Sequence, residues 1–198
     1  MVDIPAGAFL MGANDGDPGE APLRRVELAA FAIDRTPVTE AAYAAWKPSH
    51  PIPPGKAEHP VVNVTWEEAR AYCRAQGKRL PSEAEWEKAA RGTDGRRYPW
   101  GEVFDAGRAN TPAGPHLGTT PVGAYPGGAS VYGVLDMAGN VWEWTADTLA
   151  SGSAVILKGG SFFNYQGQTD AADIVRSAKR SFFRSDRGWF NVGFRCAR

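Results

Sequence analysis

Residues 132–144, Tyr-Gly-Val-Leu-Asp-Met-Ala-Gly-Asn-Val-Trp-Glu-Trp, crowd two tryptophans, two glycines and two acids into thirteen positions. Asp136 and Glu143 stand seven apart, with backbone carbonyls between them and glycines that permit tight turns. A loop builds an oxygen cage for a hard cation such as calcium in this way. The spacing does not fit the twelve-residue helix-loop-helix calcium loop. The same residues read equally well as a tryptophan-stapled turn whose acids face water. Other chemistry-bearing residues are sparse. Cys73 and Cys196 are the only cysteines, neither a metal framework nor a disulfide-dense scaffold. The three histidines, His50, His59 and His116, are scattered through loop-like sequence.

The elements that must position these groups are short. Ile4–Gly12 reads as a strand broken by glycine, and Val26–Ile33 as a second strand. Thr39 caps a short helix over 40–46, and five prolines make 47–60 a loop. Thr65-Trp66-Glu67-Glu68 and Ser82-Glu83-Ala84-Glu85 are capping boxes that open two helices, closed by Gly77 and Gly92. In the first of these helices Trp66, Ala69 and Cys73 share a face. From Arg96 onward no helical period persists. Short apolar pieces (121–125, 155–157 and 192–194) alternate with glycine and polar turns, so the second half reads as long ordered loops around a few short strands.

The chain has 198 residues, 43% of them hydrophobic, with 15 prolines, 23 glycines and 7 tryptophans: one loop-rich domain with large aromatic anchors. Formal net charge is zero but unevenly spread. Residues 158–198 carry eight Lys or Arg against three acids, and the remainder carries the compensating negative excess. Internal pairing between the two parts is the preferred reading over an anion-facing surface. No apolar run is long enough to span a membrane, and no specific nucleic-acid signal is present. The start, Met1-Val2-Asp3-Ile4-Pro5, lacks the regions of a secretory signal. A cytoplasmic location is the default expectation, with an extracellular or surface location if a leader was removed.

Ordered blocks along nearly the whole chain carry a family resemblance. They are Ile4–Gly12, Asp34-Arg35-Thr36-Pro37-Val38-Thr39, residues 59–66, residues 77–87, Tyr98-Pro99-Trp100-Gly101, the 132–144 loop, Lys158-Gly159-Gly160-Ser161 and Gly193-Phe194-Arg195-Cys196. Together they resemble formylglycine-generating-enzyme (sulfatase-modifying factor) domains. The resemblance implies an α+β, C-type-lectin-like fold: a small twisted antiparallel sheet, two main helices and many long ordered loops, as a single domain over 1–198. It also implies a test of activity. Catalytic members carry a copper-binding cysteine pair shortly after the Gly-Gly-Ser block, whereas residues 161–170 here hold no cysteine, and Asn164 stands about where the first would be. An amide cannot become the thiolate that a soft copper(I) site needs. The expectation is a protein that is not an enzyme and binds no copper. A second branch of the family uses a three-histidine iron centre in a companion helical domain, which this chain lacks, and His59 belongs to a structural His-Pro-Val-Val turn.

The resemblance further implies a structural calcium ion held by Asp136, Gly139, Val141 and Glu143. A second family site begins at Asn110, but its later aspartate is missing and no metal is expected there. Secreted members join cysteines at the positions of Cys73 and Cys196. The two are therefore expected close in space, as a disulfide or, preferred here in the absence of a leader, as buried thiols.

The last forty residues hold Phe162, Phe163, Tyr165, Phe182, Phe183, Trp189 and Phe190 close to Asn164, Gln166, Ser185, Asn191 and several arginines. This is the composition of binding surfaces, where rigid aromatics supply contact and short polar groups adapt. Arg176, Ala178 and Arg180 follow the family pattern and are assigned to scaffold. One member of each phenylalanine pair is expected to pack inward. The arrangement resembles the variable proteins of diversity-generating retroelements, whose variable segment is also C-terminal. The function expected is non-catalytic binding of a protein or small ligand by residues 158–198. The alternatives are an oxidoreductase relative and an accessory domain of a larger regulator.

Overall fold

A computed structural model describes residues 1–149, 152, 154–164 and 170–198. The N-terminal third opens with a long hairpin. β1 (Val2–Ile4) pairs with β4 (Phe31–Ile33), and β2 (Gly7–Met11) pairs with β3 (Arg24–Leu28), both antiparallel. The two ladders keep one register, Ile4 facing Phe31 and Gly7 facing Leu28. The interruption falls at Pro5-Ala6 opposite Ala29-Ala30, since proline has no N–H to give the ladder. The single strand expected over Val26–Ile33 is therefore two.

α1 (Glu40–Trp46) starts at Thr39, whose hydroxyl accepts the Ala42 amide at 3.2 Å. α2 (Trp66–Ala75) and α3 (Glu83–Arg91) each begin with a complete capping box, on Thr65 and Ser82. Glycine-terminated exits follow at Gly77 and Gly92, both in the left-handed region. The main sheet has the order β7-β6-β5-β8, built from β5 (Trp142–Thr148), β6 (Val155–Lys158), β7 (Ser181–Phe183) and β8 (Val192–Gly193). A short helix, α4 (Ala171–Ile174), precedes β7. The sheet is not wholly antiparallel as expected: β8 runs parallel to β5. A long connection separates these two strands in sequence, which is what parallel neighbours require.

Two apolar clusters lie under these elements. The larger gathers Tyr43, Tyr72, Trp144, Leu157 and Phe194 between α1, α2 and the main sheet. The smaller packs Trp86 of α3 against Ile4, Ile33 and Met137, fixing the hairpin. Gly160, with φ 74°, turns the chain out of β6, and a side chain there would collide with the Ile174 carbonyl. Gly188 lies so close to the Asn63 backbone that no Cβ fits. These two contacts hold the C-terminal loops against the frame.

Candidate binding cavity

The loops after β6 and β7 enclose a cavity of about 350 Å³. Its aromatic lining comes from Trp142, Phe163, Phe183, Trp189 and Phe190, and its amides from Asn164 and Asn191. Several of these groups are held by identifiable bonds. The Ser161 hydroxyl donates to the Phe163 carbonyl at 2.8 Å and accepts from the Asn191 side-chain amide at 3.2 Å. The Asn191 carbonyl accepts from the Trp142 amide at 2.9 Å, and the Trp189 carbonyl accepts from the Asn63 amide at 3.0 Å. The Phe183 and Trp189 rings meet edge to face at 4.7 Å, and Phe163 and Phe190 at 5.0 Å. The Arg187 guanidinium lies 4.0 Å over the Trp189 ring.

The cations on the lining are engaged by acids from elsewhere in the chain. Lys179 sits between Asp17 at 2.7 Å and Asp173 at 2.6 Å. Burial pulls its pKa down, but the two carboxylates outweigh burial and leave it above the ordinary lysine value. Arg180 donates to the Gly19 carbonyl at 2.6 Å and pairs with Glu83 at 2.6 Å. Burial raises the Glu83 carboxyl above its ordinary value, with Lys158 and Arg180 only partly offsetting it. Behind the lining, buried Arg176 makes a two-pronged pair with Glu20 at 2.5 and 2.8 Å. The basic excess of residues 158–198 is thus largely met by N-terminal and helical acids, the internal pairing expected from composition.

Six of the eleven expected ligand residues line the cavity together: Phe163, Asn164, Phe183, Trp189, Phe190 and Asn191. Phe162 is buried beneath it, its ring 6.1 Å from Phe190. Phe182 is 42% exposed and, like Ser185, does not line the cavity. Tyr165 and Gln166 lie outside the described residues. The expected ligand set lacked Asp17, Trp142, Ile174, Lys179 and Ser181, and Arg180 was assigned to scaffold although it also lines the cavity. The uneven charge was the one signal that bore on Lys179, since a basic segment in a neutral chain needs acidic partners.

The expected calcium set has a different arrangement. Glu143 is fully buried, and its two oxygens accept from Arg195 Nε and Nη2, each at 2.7 Å. Trp86 Nε1 also donates to Glu143 at 2.8 Å. Arg195 further donates to the carbonyls of Leu135 and Asp136, and Asp136 accepts the Gly123 amide at 2.7 Å. A guanidinium therefore holds one of the two carboxylates expected to bind calcium, and an ion at Asp136, Gly139, Val141 and Glu143 would have to share Glu143 with Arg195. Among the described residues no group of three or more His, Cys, Asp or Glu could hold a metal ion.

Cys73 and Cys196 form a disulfide, and both are fully buried in the larger core cluster. The preferred reading of two thiols is corrected by this bond: helix α2 and the terminal segment bring the sulfurs into contact. Neither cysteine lines the cavity. No helix among the described residues is long and apolar enough to cross a membrane.

Comparison with known proteins agrees with this architecture. All of this chain aligns, at 35% identity, with 87% of the inactive C-alpha-formylglycine-generating enzyme 2 of Bos taurus. It aligns in full, at 32% identity, with 88% of the formylglycine-generating enzyme of Streptomyces coelicolor. It also aligns in full, at 35% identity, with 38% of the serine/threonine-protein kinase Pkn1 of Chlamydia trachomatis. The solved structure of Treponema denticola variable protein 1 superposes with a TM-score of 0.82 at 24% identity, covering 100% of this chain and 94% of that one, and so shares its fold. The sulfatase-modifying factor enzyme 1-like domain model matches residues 1–198, and the chain belongs to that family.

Proposed function

We propose that this domain binds a ligand through the aromatic cavity and does not carry out the oxidation of its catalytic relatives. The observation that carries the reading is Asn164. It lines the cavity at about the position where the family resemblance puts a copper-binding cysteine, while both cysteines of the chain are bonded to each other in the core. Similarity to relatives named inactive supports it. Because Lys179 and Arg180 are already paired, the ligand best suited to the lining is an aromatic or apolar group, such as a side chain of a partner protein, oriented by Asn164 and Asn191. Incubation with copper(I) and a cysteine-containing peptide tests the reading. No formylglycine product is expected, and its formation overturns the proposal.

The frame around this cavity suits diversification. Phe163, Asn164, Trp189 and Phe190 face it from loops, Trp142 and Phe183 face it from strands of the frame, and the bonds that anchor the loops use backbone atoms and buried side chains. A near-copy of the last stretch of the gene, differing at adenines and lying beside a reverse transcriptase, is the expected genomic context of a variable protein. A gene without that context removes the diversification reading and leaves binding intact. A second reading, an accessory domain of a larger regulator, is favoured by the Chlamydia kinase, in which the matching region is about a third of the protein. The disulfide supports a route through an oxidising compartment.

A further inference from the structure

A second hollow, of about 260 Å³, shares no lining residue with the aromatic cavity. Trp66, Leu80 and Ala146 make its apolar lining, and Arg70, Arg74 and Arg79 make its basic one. The Trp66 ring is fixed, because Nε1 donates to the Thr145 carbonyl at 2.8 Å and the Arg70 guanidinium lies 4.5 Å from the ring centre.

The charges around the hollow are unequal. Glu85 takes two nitrogens of Arg79, each at 2.6 Å. Glu67 must serve two guanidinium groups, Arg70 at 2.7 Å and Arg74 only at 4.0 Å. Asp147 accepts the Glu83 amide at the head of α3. Three guanidinium groups thus face two carboxylates, and Arg74 is the one held loosely, its side chain 63% exposed.

We propose that this hollow binds a small carboxylate with an aromatic body. A guanidinium fork pairs two-pronged with a carboxylate, and Arg74 has donors to offer one. Trp66 and the Arg70 plane accept a flat ring beside them. The volume suits one ring and its acid group. The site is independent of the aromatic cavity, and failure of the binding function proposed there leaves it standing.

The test is a calorimetric titration of the full chain with phenylacetate, phenylacetamide and acetate, repeated with R74Q. Arg74 is exposed in the last turn of α2, so R74Q keeps the fold, which thermal melting verifies. Phenylacetate should bind saturably and more weakly at high salt. The amide and the R74Q variant should each lose about tenfold in affinity or more, the effect of removing one charged hydrogen-bonded pair, and acetate should lose about as much by lacking the ring. Parallel spectra of the tryptophan indole N–H groups, with W66F to assign the signal, should show Trp66 as the one that moves. Absence of saturable binding, undiminished binding of the amide or by R74Q, or an unmoved Trp66 signal overturns the proposal.

Discussion

Arg195 and Glu143, 52 residues apart in the chain, close a buried two-pronged ion pair that joins the terminal segment to the first residues of β5. The guanidinium also reaches the carbonyls of Asp34, Leu135 and Asp136, so one side chain ties three stretches together. R195M leaves Glu143 buried with only Trp86 as donor. It should destabilise the protein by about 3 to 5 kcal/mol, the usual cost of an uncompensated buried charge. Urea unfolding measures this, and a loss under about 1 kcal/mol would show that water or another donor replaces the guanidinium. The same pair predicts that adding calcium to metal-stripped protein leaves the melting temperature unchanged. A rise would mean that the ion displaces Arg195.

The disulfide spans a separation of 123 residues. In the chain-entropy account a closure of that length contributes about 4 to 5 kcal/mol by restricting the unfolded ensemble. Reductant present throughout a denaturant titration should therefore lower the midpoint by a corresponding amount. Thiol titration of the denatured chain without reductant should find none free. Two free thiols would restore the reading that the sequence favoured.

How far the fold was legible depends on the range of the interactions involved. Thr65 with Glu68 and Ser82 with Glu85 are local pairs three residues apart, so both helix starts could be seen in the chain itself. The break at Pro5 was mislocated to glycine although the missing N–H of proline, a local property, was readable in the chain. Of the cavity, the aromatic contribution was visible as composition near the C-terminus. Asp17 was not, since its relation to Lys179 crosses 162 residues and leaves no periodic trace. The Arg195 partner of Glu143 was invisible too, because the spacing of Glu143 to Asp136 says nothing about a residue 52 positions away.

The phenylalanines separate frame from display. Phe162 is 8% exposed, whereas Phe190 is 46% exposed although both rings belong to one cluster. F162A should cost about 3 kcal/mol or more, through lost burial and the void left behind. F190A should cost less, about 1 kcal/mol, since nearly half of that side chain is already in water. Chemical unfolding of the two variants checks this. Equal losses would place Phe190 in the core and weaken the case that its loop is free to vary.

Asp136 makes a pH prediction with a definite sign. Burial raises its carboxyl above the ordinary value of 3.8, and neither the Gly123 amide nor Arg195 fully offsets this, while Glu143 adds to the rise. The folded state therefore keeps this proton to higher pH than the unfolded chain does. The contribution of Asp136 to stability is present below the unfolded pKa, declines as pH rises through the folded pKa, and is a standing penalty above it. D136N cannot ionise, its side-chain oxygen can still accept the Gly123 amide, and asparagine tolerates the positive φ of 56° at this position. Relative to the unmodified protein, D136N should gain stability as pH rises from the unfolded to the folded pKa of Asp136, level off above it, and be the more stable of the two at neutrality. Parallel curves for the two proteins across that range would mean that Asp136 ionises as readily in the fold as in the open chain, with Arg195 supplying the compensation.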